Sequence, residues 1–265
     1  MSAGLQVWNE GDLFQIDGTY SNMQLRSSQS ADAIYTSVYI GSNPQGSYTG
    51  ILPIATFNVR ASSPVFALYS PGNPSVIKST QTDNAGNWTV QVLCAFVGQV
   101  VTLLSFDTAT PTASNFGLQV FNESGVLVFD ANSAPLLISG AYSGNIANLD
   151  PNAYVYNSTV TRPTNIIFPT DPAHKFAVVG AMGPLLAYSG GVVGNGNLTT
   201  YLYPGMFQTD PGQIQMPICG FGQTPGPVQA FVQYDTTPFT ATNQTTAYGS
   251  CFNYQFLVAD VTGIV

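Results

Sequence analysis

The chain has 265 residues, room for two domains with a core each, and only 7% of it is charged, where an ordinary soluble domain carries about 25%. A net charge of −8 with five scattered basic residues, Arg26, Arg60, Lys78, Arg162 and Lys175, excludes the clustered cations that nucleic acid or an anionic membrane requires. An apolar fraction of 45% excludes a disordered chain. A folded surface so short of charge repels its neighbours weakly, as suits a subunit of a permanent assembly. The plain alternative is a soluble β domain with a Thr/Asn-rich surface.

In chain order, the first element is also the most informative. Gly4 to Asp17 (GLQVWNEGDLFQID) returns ungapped at Gly117 to Asp130 (GLQVFNESGVLVFD). Gly4/Gly117, Leu5/Leu118, Gln6/Gln119, Val7/Val120, Asn9/Asn122, Glu10/Glu123 and Asp17/Asp130 are identical, where composition alone predicts roughly one match. Leu118 and Val120 alternate with Gln119 and Phe121, a period of two that predicts a β-hairpin. Its turn falls at Asn122-Glu123-Ser124-Gly125, and at Asn9-Glu10-Gly11-Asp12 in the first copy; each contains a glycine that tolerates positive φ. Trp8 and Phe121 hold matched positions and are expected to be at least partly buried.

Further strands are predicted at Ala33 to Ile40, Ile51 to Val59, Val65 to Tyr69 and Trp88 to Phe106, separated by Gly, Pro and Asn breaks. The run from Val90 to Phe106 is the most apolar. It is shorter than the ~20 residues of a membrane span and contains Gln91, Gly98 and Gln99, so it reads as two buried strands joined near Val97-Gly98-Gln99. Asp107 to Ser114 (DTATPTAS) is polar, holds a proline and ends where the second repeat begins, which makes it the predicted linker. The expected organisation is a first β module over 1–110 and a second, longer one over 111–265, with a loop-rich insertion near 190–210. Phe252 to Val261 is similar to the closing strands of the first module. With 18 prolines, 26 glycines and no helical periodicity, the predicted class is all-β: two tandem β-sandwich or barrel-like modules, each opening with the same hairpin.

The sequence offers little for chemistry, and no catalytic, metal or cofactor-binding residue is expected. His174 is the only histidine; Asp171 lies close to it, but there is no GxSxG elbow, and DPAH reads as a polar turn before a strand at Phe176 to Val179. The only glutamates, Glu10 and Glu123, occupy equivalent turns, which favours a structural role over the paired carboxylates of glycoside cleavage. Asp83-Asn84-Ala85-Gly86-Asn87 reads as a hairpin turn in preference to a cation loop, and Gly194-Asn195-Gly196-Asn197 lacks the context of a dinucleotide site. Cys94, Cys219 and Cys251 are widely spaced and read as buried thiols, with a Cys219–Cys251 pair left open. Sequons at Asn87, Asn122, Asn157, Asn197 and Asn243 match the abundance of Asn, Ser and Thr. Tyr201 and Tyr203, on the predicted insertion, are the best candidates for an exposed binding contact.

The first repeat starts at Gly4, and no basic stretch followed by an apolar run precedes it, so synthesis in a cytosol without general export is expected. The string FGLQVFNESGVLVFD resembles the opening of a group of small virion proteins of tailed bacteriophages, found at the tail, its tip or baseplate, and its fibres. The likeness covers Gly117 to Asp130 and, nearly as well, Gly4 to Asp17. It implies a non-enzymatic structural protein made in the bacterial host cytoplasm. Its partners would be other tail and baseplate proteins, copies of itself as a homo-oligomer, and host receptor or polysaccharide if it serves attachment. A head decoration protein, or a module that binds or cleaves surface polysaccharide, is the alternative.

Overall fold

A computed structural model describes residues 6–8, 14–17, 23–43, 46–108, 117–130, 132–145, 165–182, 185–193, 197–204, 206–217, 221–223, 230–231, 244–247 and 253–265. They form 22 strands and no helix, an all-β protein.

The first half holds β1 (Gln6–Trp8), β2 (Phe14–Asp17), β3 (Gln24–Asp32), β4 (Ile34–Asn43), β5 (Gly46–Arg60), β6 (Val65–Tyr69), β7 (Ser75–Thr82), β8 (Asn87–Cys94) and β9 (Val100–Asp107). The apolar run resolves into β8 and β9, which turn through Gly98 at φ +83°, a conformation glycine adopts without strain. The second half holds β10 (Gln119–Phe121), β11 (Leu127–Asp130), β12 (Leu137–Asn145), β13 (Asn165–Pro169), β14 (Phe176–Met182), β15 (Leu185–Val193), β16 (Asn197–Pro204), β17 (Gln208–Asp210), β18 (Gln213–Pro217), β19 (Phe221–Gln223), β20 (Ala230–Phe231), β21 (Gln244–Ala247) and β22 (Asn253–Asp260).

The duplication runs beyond the repeated segment. β1 and β2 pair with Gln6 opposite Asp17, Val7 opposite Ile16 and Trp8 opposite Phe14. β10 and β11 repeat that register 113 residues later, including the irregularity after the second pair. β3 pairs with β9 from Gln24–Asp107 to Asp32–Val100, with a bulge between Leu25 and Ser27. β12 pairs with β22 from Leu137–Asp260 to Asn145–Asn253, with its bulge between Ile138 and Gly140. Every pair matches at offsets of 113 and 153. β6 lies beside β9 as β14 lies beside β22. β5, β8 and β7 pair in the order shown by β13, β18 and β17.

The halves are not separate sheets. The six-stranded sheet runs β12-β22-β14-β6-β9-β3, three strands from each half. They meet where β6 pairs antiparallel with β14, Leu68 opposite Val178 and Ala67 opposite Val179. The equivalence that matches Val65–Phe106 to Ala177–Ala259 makes Ala67 the counterpart of Val179. A local two-fold therefore passes through that pair. The reason is the sheet edge: β6 alone would leave its N–H and C=O groups unpaired, and its counterpart satisfies them. The expected boundary near residue 110 is crossed by sheet hydrogen bonds. Asp107, expected to open the linker, instead ends β9 and is buried.

One face of the large sheet packs against β5 and β8 through Phe57, Val59, Val90, Val92, Phe66, Leu68, Val101 and Leu103. Further along, the same face meets β13 and β18 through Phe168, Ile214, Met216, Val178, Phe256 and Val258. Each such side chain contributes about 1.5–3 kcal/mol on burial. The opposite face carries Ala67, Leu104, Phe106, Ala177, Val179, Ala259 and Val261. The sheet curls around this cluster. Leu25 N–H donates to Ala134 O and Leu136 N–H to Met23 O, both at 2.8 Å, so the chain ahead of β12 reaches the start of β3.

Candidate functional site

The conspicuous polar residues are mostly held by the scaffold. Asp107 ends β9, and its Oδ2 accepts from Ser62 N–H at 2.7 Å and from Ser63 N–H at 3.4 Å, tying down the β5–β6 connection. Asp260, its counterpart at the end of β22, does the same for the β13–β14 connection. His174 Nδ1 lies 2.7 Å from Asp260 Oδ2, and Thr262 N–H donates to Asp260 Oδ1 at 2.9 Å. Burial pushes the Asp260 carboxyl up, but the hydroxyl and amide of Thr262 and the His174 ring outweigh it and leave the pKa below its ordinary value. His174 thus turns to Asp260. Asp171, its neighbour in sequence, accepts from Ala173 N–H at 2.9 Å. Sequence reasoning missed Asp260 because its equivalence to Asp107 rests on strand register, with no local motif to mark it.

The repeated identities have visible work in the second hairpin. Gln119 Nε2 donates to Asp130 Oδ2 at 3.0 Å across the strands, which accounts for Gln6/Gln119 and Asp17/Asp130 recurring as a pair. Asn122 Oδ1 accepts from Ser124 N–H at 3.0 Å and Val126 N–H at 2.9 Å, fixing the turn in which Gly125 stands at φ +74°. Glu123 is exposed at the tip. Phe121 is 52% exposed, which corrects the expectation of burial. With Val120 facing inward, alternation carries the next side chain to the opposite, open face. Trp8 lies on β1, and its side chain is outside the described residues, as is the turn holding Glu10.

Asp83 is a turn residue. Its Oδ1 accepts from Ala85 and Asn87 N–H and its Oδ2 from Asn87 Nδ2 at 2.7 Å. These bonds, the Asn87 side chain first, lower its pKa. Among the described residues no three His, Cys, Asp or Glu side chains group as metal ligands. No helix among them is long and apolar enough to cross a membrane. Cys94 is buried, which pushes its thiol up to about 12; Cys219 and Cys251 lie outside the described residues.

Tyr201 and Tyr203 lie on β16, paired with Tyr188 and Leu186 of β15, and Tyr201 also faces Gly222 of β19. The region expected to be a loop-rich insertion thus contains two paired strands; the two tyrosine side chains are outside the described residues.

The halves are also tied through loops. Ser70 N–H donates to Thr209 Oγ1 at 2.9 Å, Thr209 N–H to Ser70 O at 3.0 Å, and Gly72 N–H to Asp210 Oδ1 at 2.9 Å. Gln99, 3% exposed, braces this loop: its Nε2 donates to Ser70 Oγ, Asn73 O and Pro74 O while its Oε1 accepts from Ala95 N–H. The open surface instead carries large apolar groups: Leu118, Phe121 and Val126 on the second hairpin, and Ile34, Tyr35, Phe96, Val97 and Val100 where β3–β4 and β8–β9 meet. Comparison with protein-family models, with curated proteins and with solved structures finds no match to this chain.

Proposed function

We propose that the chain is a non-enzymatic structural component of a tailed-phage particle, placed in the tail tip, baseplate or fibre apparatus, where it joins other proteins. The observation that carries this reading is the duplicated scaffold. The residues that would draw notice as chemistry, His174, Asp260, Asp107 and Asp130, make contacts that hold strands and connections together. The phage-like hairpin stands at matched registers in both halves. A charged fraction of 7% with exposed apolar groups supports permanent packing against neighbours. The test is deletion of the gene followed by electron microscopy and adsorption assays. Missing or broken tails are the expected result. Intact, fully infectious particles without the chain would refute a structural role, and intact particles that fail to adsorb would move it to receptor binding.

A further inference from the structure

We infer that the bulged end of β3 and β9 holds a hard cation of single charge, sodium or potassium, among the side chains of Gln24, Ser27, Ser105 and Asp107. Among the described residues, five of the eight buried side-chain atoms without a hydrogen-bond partner belong to these four: both polar atoms of Gln24, the hydroxyls of Ser27 and Ser105, and Asp107 Oδ1. Buried polar groups are nearly always partnered, so such a concentration in one place asks for a ligand. Register brings the four together. Gln24 stands opposite Asp107 and Ser27 opposite Ser105, with the bulge between the two pairs. Opposed residues share a face of the sheet, as do residues two apart on a strand. Gln24, Ser105 and Asp107 are at most 1% exposed. Four oxygens, one of them from a carboxylate, therefore lie on one buried face at one end of the sheet.

The other half of the chain supplies the comparison. Its matched positions carry Leu137, Gly140, Val258 and Asp260. The carboxylate is kept, and the three neutral oxygen donors give way to residues without a polar side chain. Asp260 has the His174 ring at 2.7 Å and the Thr262 amide at 2.9 Å, and an imidazole can carry the compensating charge. Asp107 has no such neighbour. Its Oδ2 accepts from the Ser62 and Ser63 amides, and the ion pair among the described residues is that of His174 with Asp260. A buried carboxylate is costly unless an opposite charge compensates it. The first half thus has three extra oxygens where the second half has a histidine. Charge balance selects the ion: one carboxylate among neutral oxygens neutralises a single positive charge, whereas a divalent ion would bury a net charge. Carboxylate, amide and hydroxyl oxygens are hard ligands, and no three His, Cys, Asp or Glu side chains group among the described residues. A water in the ion's shell would accept from Gln24 Nε2.

The test compares melting temperatures of the purified chain in sodium, potassium and choline chloride at equal ionic strength, choline being a cation that side-chain oxygens do not coordinate closely. Replacing choline stepwise by sodium or potassium gives the Kd. The variants are Asp107→Asn, which removes the charge, and Gln24→Leu/Ser105→Val, which installs the apolar residues of the second half. For the wild type, sodium or potassium at about ten times its Kd is expected to raise the melting temperature by about 3–6 °C over choline. That rise should vanish in both variants. Equal melting of the wild type in all three salts overturns the site and leaves these oxygens to water. A rise that persists in both variants overturns the choice of residues, because the ion then sits elsewhere. Stabilisation by calcium chloride where neither sodium nor potassium acts overturns the charge argument. If the double variant does not fold, Ser27→Ala, which deletes one ligand, carries the same test: a raised Kd supports the site and an unchanged one overturns it.

Discussion

Phe256→Ala probes the packing of the second half and its coupling to the first. Phe256 is 1% exposed on β22. Its ring centroid lies 4.8 Å from Phe207, 5.0 Å from Phe168 and 5.2 Å from Tyr142. Truncating a buried Phe typically costs about 3–5 kcal/mol. These lost ring contacts and a fourth with Tyr254 at 6.3 Å, each about 0.5–1.5 kcal/mol beyond area burial, place this site in the upper half of that range. For a chain of this size each kcal/mol lowers Tm by about 2–4 °C, so a fall of about 8–20 °C is expected. Thermal unfolding followed by circular dichroism and calorimetry measures it. Because β22 and β14 share a sheet with β6 and β9, one transition should shift as a whole. Phe121→Ala is the control: an exposed site away from special features changes stability by about 0.5 kcal/mol at most. Equal losses at both positions would refute the burial argument, and two separate transitions would refute the shared-sheet coupling.

Residues 1–108 expressed alone expose the β6 edge, which in the whole chain pairs with its own counterpart across the Ala67–Val179 two-fold; this fragment is expected to self-associate, and sedimentation of a folded monomer would contradict that. Asp107→Ala strips the Ser62 and Ser63 amides of their acceptor and is expected to cost about 1–3 kcal/mol in chemical denaturation. Asp260 has a folded pKa below its unfolded value. Its stabilising contribution is therefore present above the unfolded carboxylate range and is lost as pH falls through the lowered value. His174→Ala removes one partner, so its acid-unfolding midpoint is expected at higher pH than that of the wild type, and coincident acid limbs would count against the pairing. Cys94, with its thiol pushed up to about 12, is expected to resist iodoacetamide in the native protein and to react after unfolding, as read from the peptide that contains it.

The sequence by itself determined the class, the duplication and the hairpin. Period-two alternation and Gly, Pro and Asn breaks are local properties, and they specify strands and turns without reference to the rest of the chain. Gln119, Asp130 and Asn122, three of the repeated identities, bond within the second hairpin, so a 14-residue window contains both partners of each bond. The equivalence of β9 and β22 was not legible beyond a faint similarity, since the inserted strands between β14 and β22 shift the offset from 113 to 153. Burial of Phe121 was misjudged because periodicity sorts side chains between two faces and does not say which face is covered. His174 reads from the sequence as a turn residue, and nothing local marks its partner Asp260, 86 residues away. Only the tertiary structure decided that the halves share one sheet. An unpaired strand edge has no sequence signature of its own partner; β6 and β14 find each other because each leaves a row of N–H and C=O groups that the other satisfies.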